Sequence, residues 1–348
     1  VLEEFIRYIQ NDIPIRLIHI PTMRFVDRSF IERYFQQSIE EAVTEDAIKR
    51  SLYADLSRTS VIRDLIQNIV RYAILSHRWM QAGEPTYKDI KRSRATGAGY
   101  DKLRTFCDKA KSYGVEFVWS DTCCIDKSSS SELDESIRSM FRWYRNSAIC
   151  IVHLAQTTKP RDLKRDEWLK RGWTLQELLA PWRMKFFNKD WQALSDQRND
   201  KYGEIMSLIG RTTGIKASVL RRFDPSPTEV DERMTWAAGR KTTRGEDMAY
   251  SLMAIFDVSL AIAYGEGADR AFCRLIEAIM QAGDRSVLNW SGKPAKHPTS
   301  RALPASPASY VGFSPLYPEL SYGSVKSHSA LMTMTSQGLR VPLVLLPL

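Results

Sequence analysis

The sequence has few cysteines, and their arrangement argues against a disulfide framework. There are five among 348 residues, an odd number, and no two of them form a C-x-x-C pair. Small disulfide-dependent proteins place an even number of cysteines at short spacings. The cysteine content therefore indicates a reducing compartment, and we expect a cytoplasmic protein. His, Cys, Asp and Glu also form no cluster at metal-ligand spacing, so no metal site is predicted.

The sequence also lacks a long apolar run. The longest, residues 249–264, contains Asp257 and is shorter than the roughly 20 residues that cross a bilayer. Glu3, Glu4 and Arg7 interrupt any signal-peptide pattern near the start. We therefore expect a soluble protein without a membrane span. The apolar run at residues 341–348 suggests a cut within a longer protein that carries further domains.

A concentrated basic region is missing as well. The net charge is +9, but the positive residues lie in short groups along the whole chain. Nucleic-acid-binding proteins concentrate such charge on one patch or motif, and no zinc-finger or RNA-binding signature occurs. A solvated surface is the better interpretation, and no nucleic-acid partner is predicted. No Gly-x-Gly-x-x-Gly follows a predicted strand, which argues against hydride transfer.

The first half of the chain alternates apolar strands with amphipathic helices. A strand is predicted at residues 15–20, followed by a helical insertion at about 29–70 and four further strands. Those four are residues 72–79, 115–119, 148–154 and 184–187. This alternation predicts an α/β fold with a mostly parallel, flavodoxin-like sheet flanked by helices. In that order, the crevice lies at the carboxyl ends of the first and third of the four strands.

The character of the chain changes after about residue 195. Residues 1–195 are predicted to form the α/β domain, and residues 196–290 a helical domain or flank with helices at 246–255 and 268–281, among others. Residues 291–318 are rich in Pro and Ser and indicate an irregular connector. Two short strands, at 331–335 and 339–345, complete the predicted segment 291–348.

Polar residues follow the predicted strands where a parallel sheet places its chemistry. Ser76, His77, Arg78 and Trp79 end the strand that begins at residue 72, and Asp121 follows the next one. Ligands of open α/β sheets bind at the carboxyl ends of the strands. These five residues are therefore candidates for binding a substrate.

Residues 171–181 (RGWTLQELLAP) combine a carboxylate, an arginine and an aromatic ring in one short helix that Pro181 ends. Thr174 and Glu177 have the spacing of a capping box, which is a purely structural explanation. A helix from Thr174 to Pro181 would have only two turns, however. If the helix began near Asp166 instead, Glu177 would lie inside it, and a capping box could not explain the presence of this glutamate. Both interpretations stay open at this point.

Three blocks of the sequence resemble the fungal heterokaryon-incompatibility (HET) domain. They are residues 72–79 (YAILSHRW), 119–126 (WSDTCCID) and 171–177 (RGWTLQE). Residues 243–252 and 264–267 also resemble the helical continuation of large family members. Met80 and Lys127 depart from the family, which usually has Gly and Gln there. The resemblance implies an effector of heterokaryon incompatibility and regulated cell death.

A more distant likeness concerns the mechanism. Residues 72–79 are similar to the first box of Toll/interleukin-1 receptor (TIR) domains, and residues 171–178 to their Trp-Cys-x-x-Glu-Leu helix, with Thr174 in place of Cys. Several TIR domains cleave the nicotinamide-ribose bond of NAD with the Glu of that helix. The resemblance implies that Glu177 is catalytic and that NAD is a substrate rather than a cofactor. It adds Arg171, Trp173 and Thr174 to the substrate-binding candidates.

The residue types suit this chemistry. Nicotinamide leaves as a neutral base, so one carboxylate that stabilises an oxocarbenium-like transition state suffices, whereas ordinary glycosidases need two. Trp79 or Trp173 could stack on a ring of NAD, and Arg78 or Arg171 could pair with its pyrophosphate. Core packing of the tryptophans and a structural ion pair of Arg78 are equally good explanations.

Two other functions compete with NAD hydrolysis. In the first, the TIR-like domain is a non-catalytic module that self-associates and signals through fused or partner sensor domains. In the second, Cys123 or Cys124 forms a hydrolase site with His77 and Asp121. Neither cysteine opens a predicted helix, so buried structural thiols are the better explanation.

Overall fold

The computed structural model describes residues 1–52, 56–282, 284–296, 302–313, 332–335 and 338–340. The chain divides into two compact units. Unit 1 comprises Val1–Trp168, Glu177–Thr212 and Lys216–Arg222, and unit 2 comprises Leu169–Gln176, Thr213–Ile215 and Phe223–Leu348. The predicted boundaries after residues 195 and 290 stay predictions. Within the described residues, no helix is both long and apolar enough to cross a bilayer.

Unit 1 contains a six-stranded mixed sheet in the order β2-β1-β4-β3-β5-β6. Its strands are β1 Arg16–His19, β2 Arg24–Asp27, β3 Tyr72–His77, β4 Phe117–Trp119, β5 Ile149–His153 and β6 Met184–Phe187. Strands β3 to β6 run parallel to one another, whereas β1 is antiparallel to both β2 and β4. The predicted α/β fold with a mostly parallel sheet is confirmed.

The four parallel strands lie in the order β4-β3-β5-β6, so the first strand of the series lies between the second and the third. This is the order of the first four strands of a flavodoxin-like sheet. The carboxyl ends of β3 and β5 are therefore adjacent, as predicted. The β1–β2 hairpin is an addition at the edge beside β4. β2 was not predicted, because its half-buried residues show no apolar run.

Several helices of unit 1 begin directly after residues whose side chains cap them. The side chains of Asp27, Thr44, Ser57 and Ser129 accept hydrogen bonds from the first turns of α2, α3, α4 and α7. The helices that lie wholly or partly in this unit are α1 Leu2–Asn11, α2 Arg28–Ala42, α3 Glu45–Ser51, α4 Arg58–Ile69, α5 Tyr87–Lys91, α6 Ala98–Lys111, α7 Ser130–Asn146, α8 Thr174–Leu179, α9 Glu204–Thr213 and α10 Ala217–Arg221. The predicted helical insertion is thus α2 to α4, apart from residues 53–55, which lie outside the described part.

The core of unit 1 lies on both faces of β3 and β5, every residue of which is buried. On one face, Trp119 of β4 packs edge-on against Trp143 and Tyr144 of α7. On the other face lies α6, whose apolar side includes the buried Phe106 and Ala110. Continuous apolar strands of this kind are typical of parallel sheets that are covered on both faces.

Unit 2 contains α11 Val230–Ala237, α12 Asp247–Tyr250 and α13 Ala268–Gln281. The helix predicted at 246–255 is α-helical only in α12, after which the chain continues as turns. Strands β7 Thr333–Thr335 and β8 Gly338–Arg340 form an antiparallel pair. Residues 341–345 of the last predicted strand, and residues 297–301 and 314–318 of the predicted connector, lie outside the described residues.

Candidate functional site

Glu177 is held by a serine at the end of the central strand. The Oγ of Ser76, the fifth residue of β3, donates a hydrogen bond to Glu177 Oε2 at 2.5 Å. The same Oγ accepts a hydrogen bond from Trp168 Nε1 at 2.8 Å. Glu177 is only 6% exposed. An indole, a hydroxyl and a carboxylate thus form one buried chain of hydrogen bonds, which fixes the orientation of the carboxylate.

The surroundings of Glu177 are dry. Burial raises the pKa of the Tyr144 hydroxyl and of the Cys150 thiol well above their usual ranges, and the nearby Glu177 carboxylate raises both pKa values further. Tyr144 donates its own hydrogen bond to the Leu75 carbonyl at 3.0 Å. In such a medium a charge interacts strongly with the dipoles around it.

A buried lysine fixes the end of the helix that carries Glu177. Lys201 Nζ donates hydrogen bonds to the carbonyl oxygens of Leu178 at 2.7 Å and Leu220 at 2.8 Å. Burial lowers the pKa of Lys201 to about 7. Lys201 therefore connects the residue after Glu177 to the end of α10.

A second polar cluster lies on the opposite face of the sheet. His77 Nε2 is 3.3 Å from Asp121 Oδ1, and Trp79 Nε1 donates to Asp121 Oδ2 at 2.9 Å. His77 Nδ1 is 3.8 Å from a carboxylate oxygen of Glu84, which also forms an ion pair with Lys102. Burial lowers the pKa of His77, although Asp121 opposes this effect. Burial would raise the pKa of Asp121, but the hydrogen bond and charge of His77, together with the hydrogen bond from Trp79, hold it below its usual range.

The alternation of side chains along a strand explains why there are two clusters. Successive residues of a strand point to opposite faces of the sheet. Ser76 pairs in register with Val152 of β5, and His77 with His153. The residues predicted at the end of β3 are therefore divided between the two faces of the sheet. Ser76 lies with Glu177, whereas His77 lies with Asp121 and Trp79.

A cleft of about 630 Å³ opens at the carboxyl ends of β3 and β5, on the face that carries His77. Its lining includes Arg78, Trp79, Lys102, His153 and Trp191, and does not include Glu177. Three of these residues, Lys102, His153 and Trp191, were not predicted. His153 ends a predicted strand, so the rule that identified His77 could have identified it, whereas nothing in the sequence singles out Trp191.

The remaining candidates belong to unit 2. Thr174 Oγ1 donates to the Arg171 carbonyl at 2.9 Å and accepts from Arg240 Nη1 at 3.0 Å. Trp173 forms a hydrogen bond with Asp247. Helix α8 begins at Thr174 and is six residues long. A longer helix from Asp166 is not formed, since Glu167–Lys170 is a separate 3-10 turn.

The two downstream motifs of unit 2 bind each other. The side chain of Glu246 accepts hydrogen bonds from the backbone N–H groups of Gly265 at 3.0 Å and Gly267 at 3.1 Å. Tyr264 donates to Asp247 at 2.8 Å. Both glycines have positive φ, 101° and 87°, which other residues rarely adopt. These motifs therefore have a structural explanation.

The geometry gives little support to a cysteine hydrolase. Cys123 and Cys124 are both buried. Burial raises the pKa of the Cys124 thiol well above its usual range, and a nucleophilic thiol requires the opposite shift. His77 Nε2 is directed at Asp121. Across the described residues, no group of three or more His, Cys, Asp or Glu side chains is placed to hold a metal ion.

Comparison with known proteins finds similarity over part of the chain. The family model described as "Heterokaryon incompatibility protein (HET)" matches residues 72–163, a span that includes Ser76 and Asp121 but not Glu177. "Vegetative incompatibility protein HET-E-1" of Podospora anserina is 46% identical over 221 residues, which cover 60% of this chain and 16% of that protein. No solved structure matches the chain, so the likeness to TIR domains stays an expectation. Both matches support the predicted resemblance, and residues 72–163 are similar to the heterokaryon-incompatibility (HET) family.

Proposed function

We propose that the protein is a cytoplasmic effector of vegetative (heterokaryon) incompatibility that causes regulated cell death. The HET match at residues 72–163 and the 46% identity to a vegetative incompatibility protein support this role. The matched region spans 16% of that relative, so sensor domains, fused or separate, belong to the same proposal. None of the five cysteines, all of which the structure describes, forms a disulfide, which suits a reducing compartment.

The proposed reaction is hydrolysis of the nicotinamide-ribose bond of NAD, with Glu177 as the catalytic residue. The bond between the ribose C1′ and the pyridinium nitrogen breaks, nicotinamide leaves as a neutral base, and water adds to C1′ with loss of a proton. Positive charge develops on the ribose in the transition state. A fixed carboxylate in a dry site stabilises such charge without having to reorient.

The hydrogen-bonded chain from Trp168 through Ser76 to Glu177 is the observation that supports this chemistry best. Catalytic groups act most effectively when neighbouring residues hold them in place. In this proposal Ser76 is a positioning residue for Glu177. The carboxylate lies at the carboxyl ends of β3 and β5, where α/β sheets bind their ligands.

The burial of Glu177 bears on how activity would be controlled. The residue is 6% exposed and does not line the cleft, so NAD can reach it only after a rearrangement. We infer that self-association on activation supplies that rearrangement. The same burial favours a second function, in which Glu177 is structural and the domain is a TIR-like assembly module that signals cell death through partners.

Measuring nicotinamide release from NAD tests both functions. Purified protein is assayed over a range of concentrations and after fusion to a domain that forces clustering. The Glu177→Gln variant, which keeps the shape of the side chain, is compared with Glu204→Gln, which changes an exposed carboxylate of α9. If the protein hydrolyses NAD through Glu177, nicotinamide release should rise with clustering. It should disappear in Glu177→Gln and persist in Glu204→Gln.

The opposite results are equally informative. Clustered, folded protein that leaves NAD intact would exclude the enzyme and leave the assembly module. Equal turnover in Glu177→Gln and the unchanged protein would remove Glu177 from the mechanism. Thermal unfolding of each variant separates a catalytic loss from a structural one, because the amide can still accept the Ser76 hydrogen bond.

A further inference from the structure

The cleft beside His153 contains a cation that no residue described by the structure pairs. Arg78 directly follows β3, is half-buried and lines the cleft. Within the described part of the chain, its guanidinium has no hydrogen-bond or ion-pair partner. Arginine presents five N–H donors in a planar fork that matches the oxygens of a phosphate. The position therefore suits an anionic ligand.

An aromatic ring lines the same cleft in an unusual backbone conformation. Trp191 has a φ of 59°, in the left-handed region that large residues rarely adopt. Its indole stacks on the imidazole of His153, with ring centroids 4.3 Å apart and an angle of 15° between the planes. Backbone strain of this kind persists only where the surrounding structure enforces it, and it is concentrated at functional sites.

The turn that carries Trp191 is enforced by one buried asparagine. Asn188 Oδ1 accepts hydrogen bonds from the backbone N–H groups of Asp190 at 3.0 Å and Gln192 at 2.9 Å. Asn188 Nδ2 donates to the Thr158 carbonyl at 3.0 Å. The position of the Trp191 ring is thus fixed before any ligand binds, which reduces the entropy lost on binding.

His153 adds a hydrogen-bond acceptor that has no donor among the described residues. Its Nε2 lies 3.3 Å from the Lys189 carbonyl and donates to it. Burial lowers the pKa of His153 to about 4, so the ring is neutral and Nδ1 carries a lone pair. Nδ1 is buried, and no donor in the described residues reaches it. Buried polar atoms are nearly always paired, so this nitrogen points to a missing partner.

We propose that the cleft binds a nucleoside phosphate. Arg78 would bind the phosphate, Trp191 would stack on the base, and His153 Nδ1 would accept a hydrogen bond from an amino or hydroxyl group of the ligand. Asp101, which also lines the cleft, offers a carboxylate for the ribose hydroxyls. A nucleotide contains a phosphate, a base, a hydrogen-bond donor and ribose hydroxyls. Phosphate or an aromatic compound alone contains only some of these groups.

This site is separate from the proposed hydrolysis of NAD. His153 shares the face of the sheet that carries His77, while Glu177 is bonded to Ser76 on the other face. Binding in the cleft therefore needs no catalysis and does not depend on the Glu177 carboxylate. Loss of one activity leaves the other open to measurement.

Calorimetric titration with ADP tests the proposal. Three reference ligands each lack part of ADP: adenosine lacks the phosphates, ribose 5-phosphate lacks the base, and inorganic phosphate lacks both the base and the ribose. Trp191→Gly removes the ring and suits the left-handed backbone, so the turn is kept. Arg78→Ala removes the cation, and Arg104→Ala, an exposed arginine of α6 outside the lining, is the matched control. We expect each cleft variant to weaken ADP binding roughly tenfold or more.

The proposal also requires that Arg104→Ala and Glu177→Gln bind ADP as the unchanged protein does, and that added salt weakens binding. It is overturned if ADP gives no binding heat, or if inorganic phosphate binds as tightly as ADP. Equal weakening by Arg104→Ala and Arg78→Ala, or loss of ADP binding in Glu177→Gln, would place the nucleotide elsewhere and overturn it as well. Thermal unfolding confirms that each variant is folded.

Discussion

Ser76 and His77 are adjacent residues of β3 that belong to different clusters on opposite faces of the sheet. Ser76 Oγ donates to Glu177 Oε2 at 2.5 Å, whereas His77 Nε2 lies 3.3 Å from Asp121 Oδ1. The pleat of the strand separates the two side chains although their backbones are joined. Substitutions at these neighbours should therefore have separable effects.

Ser76→Ala tests the first cluster. The substitution removes the donor to the Glu177 carboxylate and the acceptor for the Trp168 indole, both buried. Losing a partner of a buried polar group costs about 1–3 kcal/mol, so we expect the free energy of unfolding in urea to fall by about that amount. Ser218→Ala, at an exposed position of α10, should change it by less than about 0.5 kcal/mol. Equal effects of the two would contradict the role given to this hydrogen bond.

The fold was largely predictable because its parallel strands are apolar runs that end in polar residues. This pattern identified β3 to β6 and the adjacent ends of β3 and β5. It could not identify β2, since Arg24–Asp27 is a half-buried edge strand whose pairing with β1 depends on the turn between them. Edge strands have weak sequence signals because only part of each residue is buried.

The candidate sites were predictable only in part. The alternation of a strand already places Ser76 and His77 on opposite faces, but the face on which Glu177 lies depends on how α8 packs in three dimensions. Trp191 is a clearer example of a site residue that the sequence could not predict. Its position in the cleft depends on a left-handed φ and on the three hydrogen bonds that the Asn188 side chain forms with the backbone, and neither follows from local propensity.

His153 predicts a specific sensitivity to acid. Burial, with smaller contributions from Lys102 and His77, lowers its pKa from 6.5 to about 4, although the hydrogen bond to Lys189 and the charge of Asp166 oppose this shift. Between those values the unfolded chain binds a proton that the folded protein does not, so stability falls as the pH falls through this window. The loss is at most about 1.4 kcal/mol per pH unit.

The comparison is with His153→Phe, which keeps an aromatic ring against Trp191 and cannot titrate. Urea unfolding from about pH 7 to about pH 5 should show the unchanged protein losing stability relative to this variant. His19→Asn controls for the loss of an imidazole elsewhere in unit 1. A difference between His153→Phe and the unchanged protein that is constant with pH would contradict the lowered pKa.

The cysteines should react in an order set by burial. Burial raises the pKa of Cys107 to about 12, and raises those of Cys124 and Cys150 well above their usual ranges. Cys273 is the one of the five that is not fully buried. Because the thiolate is the reactive form, iodoacetamide should label Cys273 first in the folded protein, as peptide mass spectrometry can show. Fast labelling of Cys123 or Cys124 would contradict this order and support the hypothesis of a cysteine hydrolase.

Lys201 predicts a gain of stability at alkaline pH. Burial lowers its pKa from 10.5 to about 7. Below about pH 7 both the folded and the unfolded chain hold the proton, so the cost of burying the charge is fully present. Between about pH 7 and 10.5 only the unfolded chain holds it, and stability rises with pH by at most about 1.4 kcal/mol per unit.

Lys201→Met isolates this effect, because the variant fills a similar volume and carries no charge. The variant should be less stable overall, since the carbonyls of Leu178 and Leu220 lose their donor. Its deficit should grow from about pH 7 to about pH 9, because the unchanged protein gains stability over that range. Lys164→Met, at an exposed position, controls for the loss of one positive charge. A deficit that is constant over this range would mean that the two carbonyls hold Lys201 as an ammonium ion despite its burial.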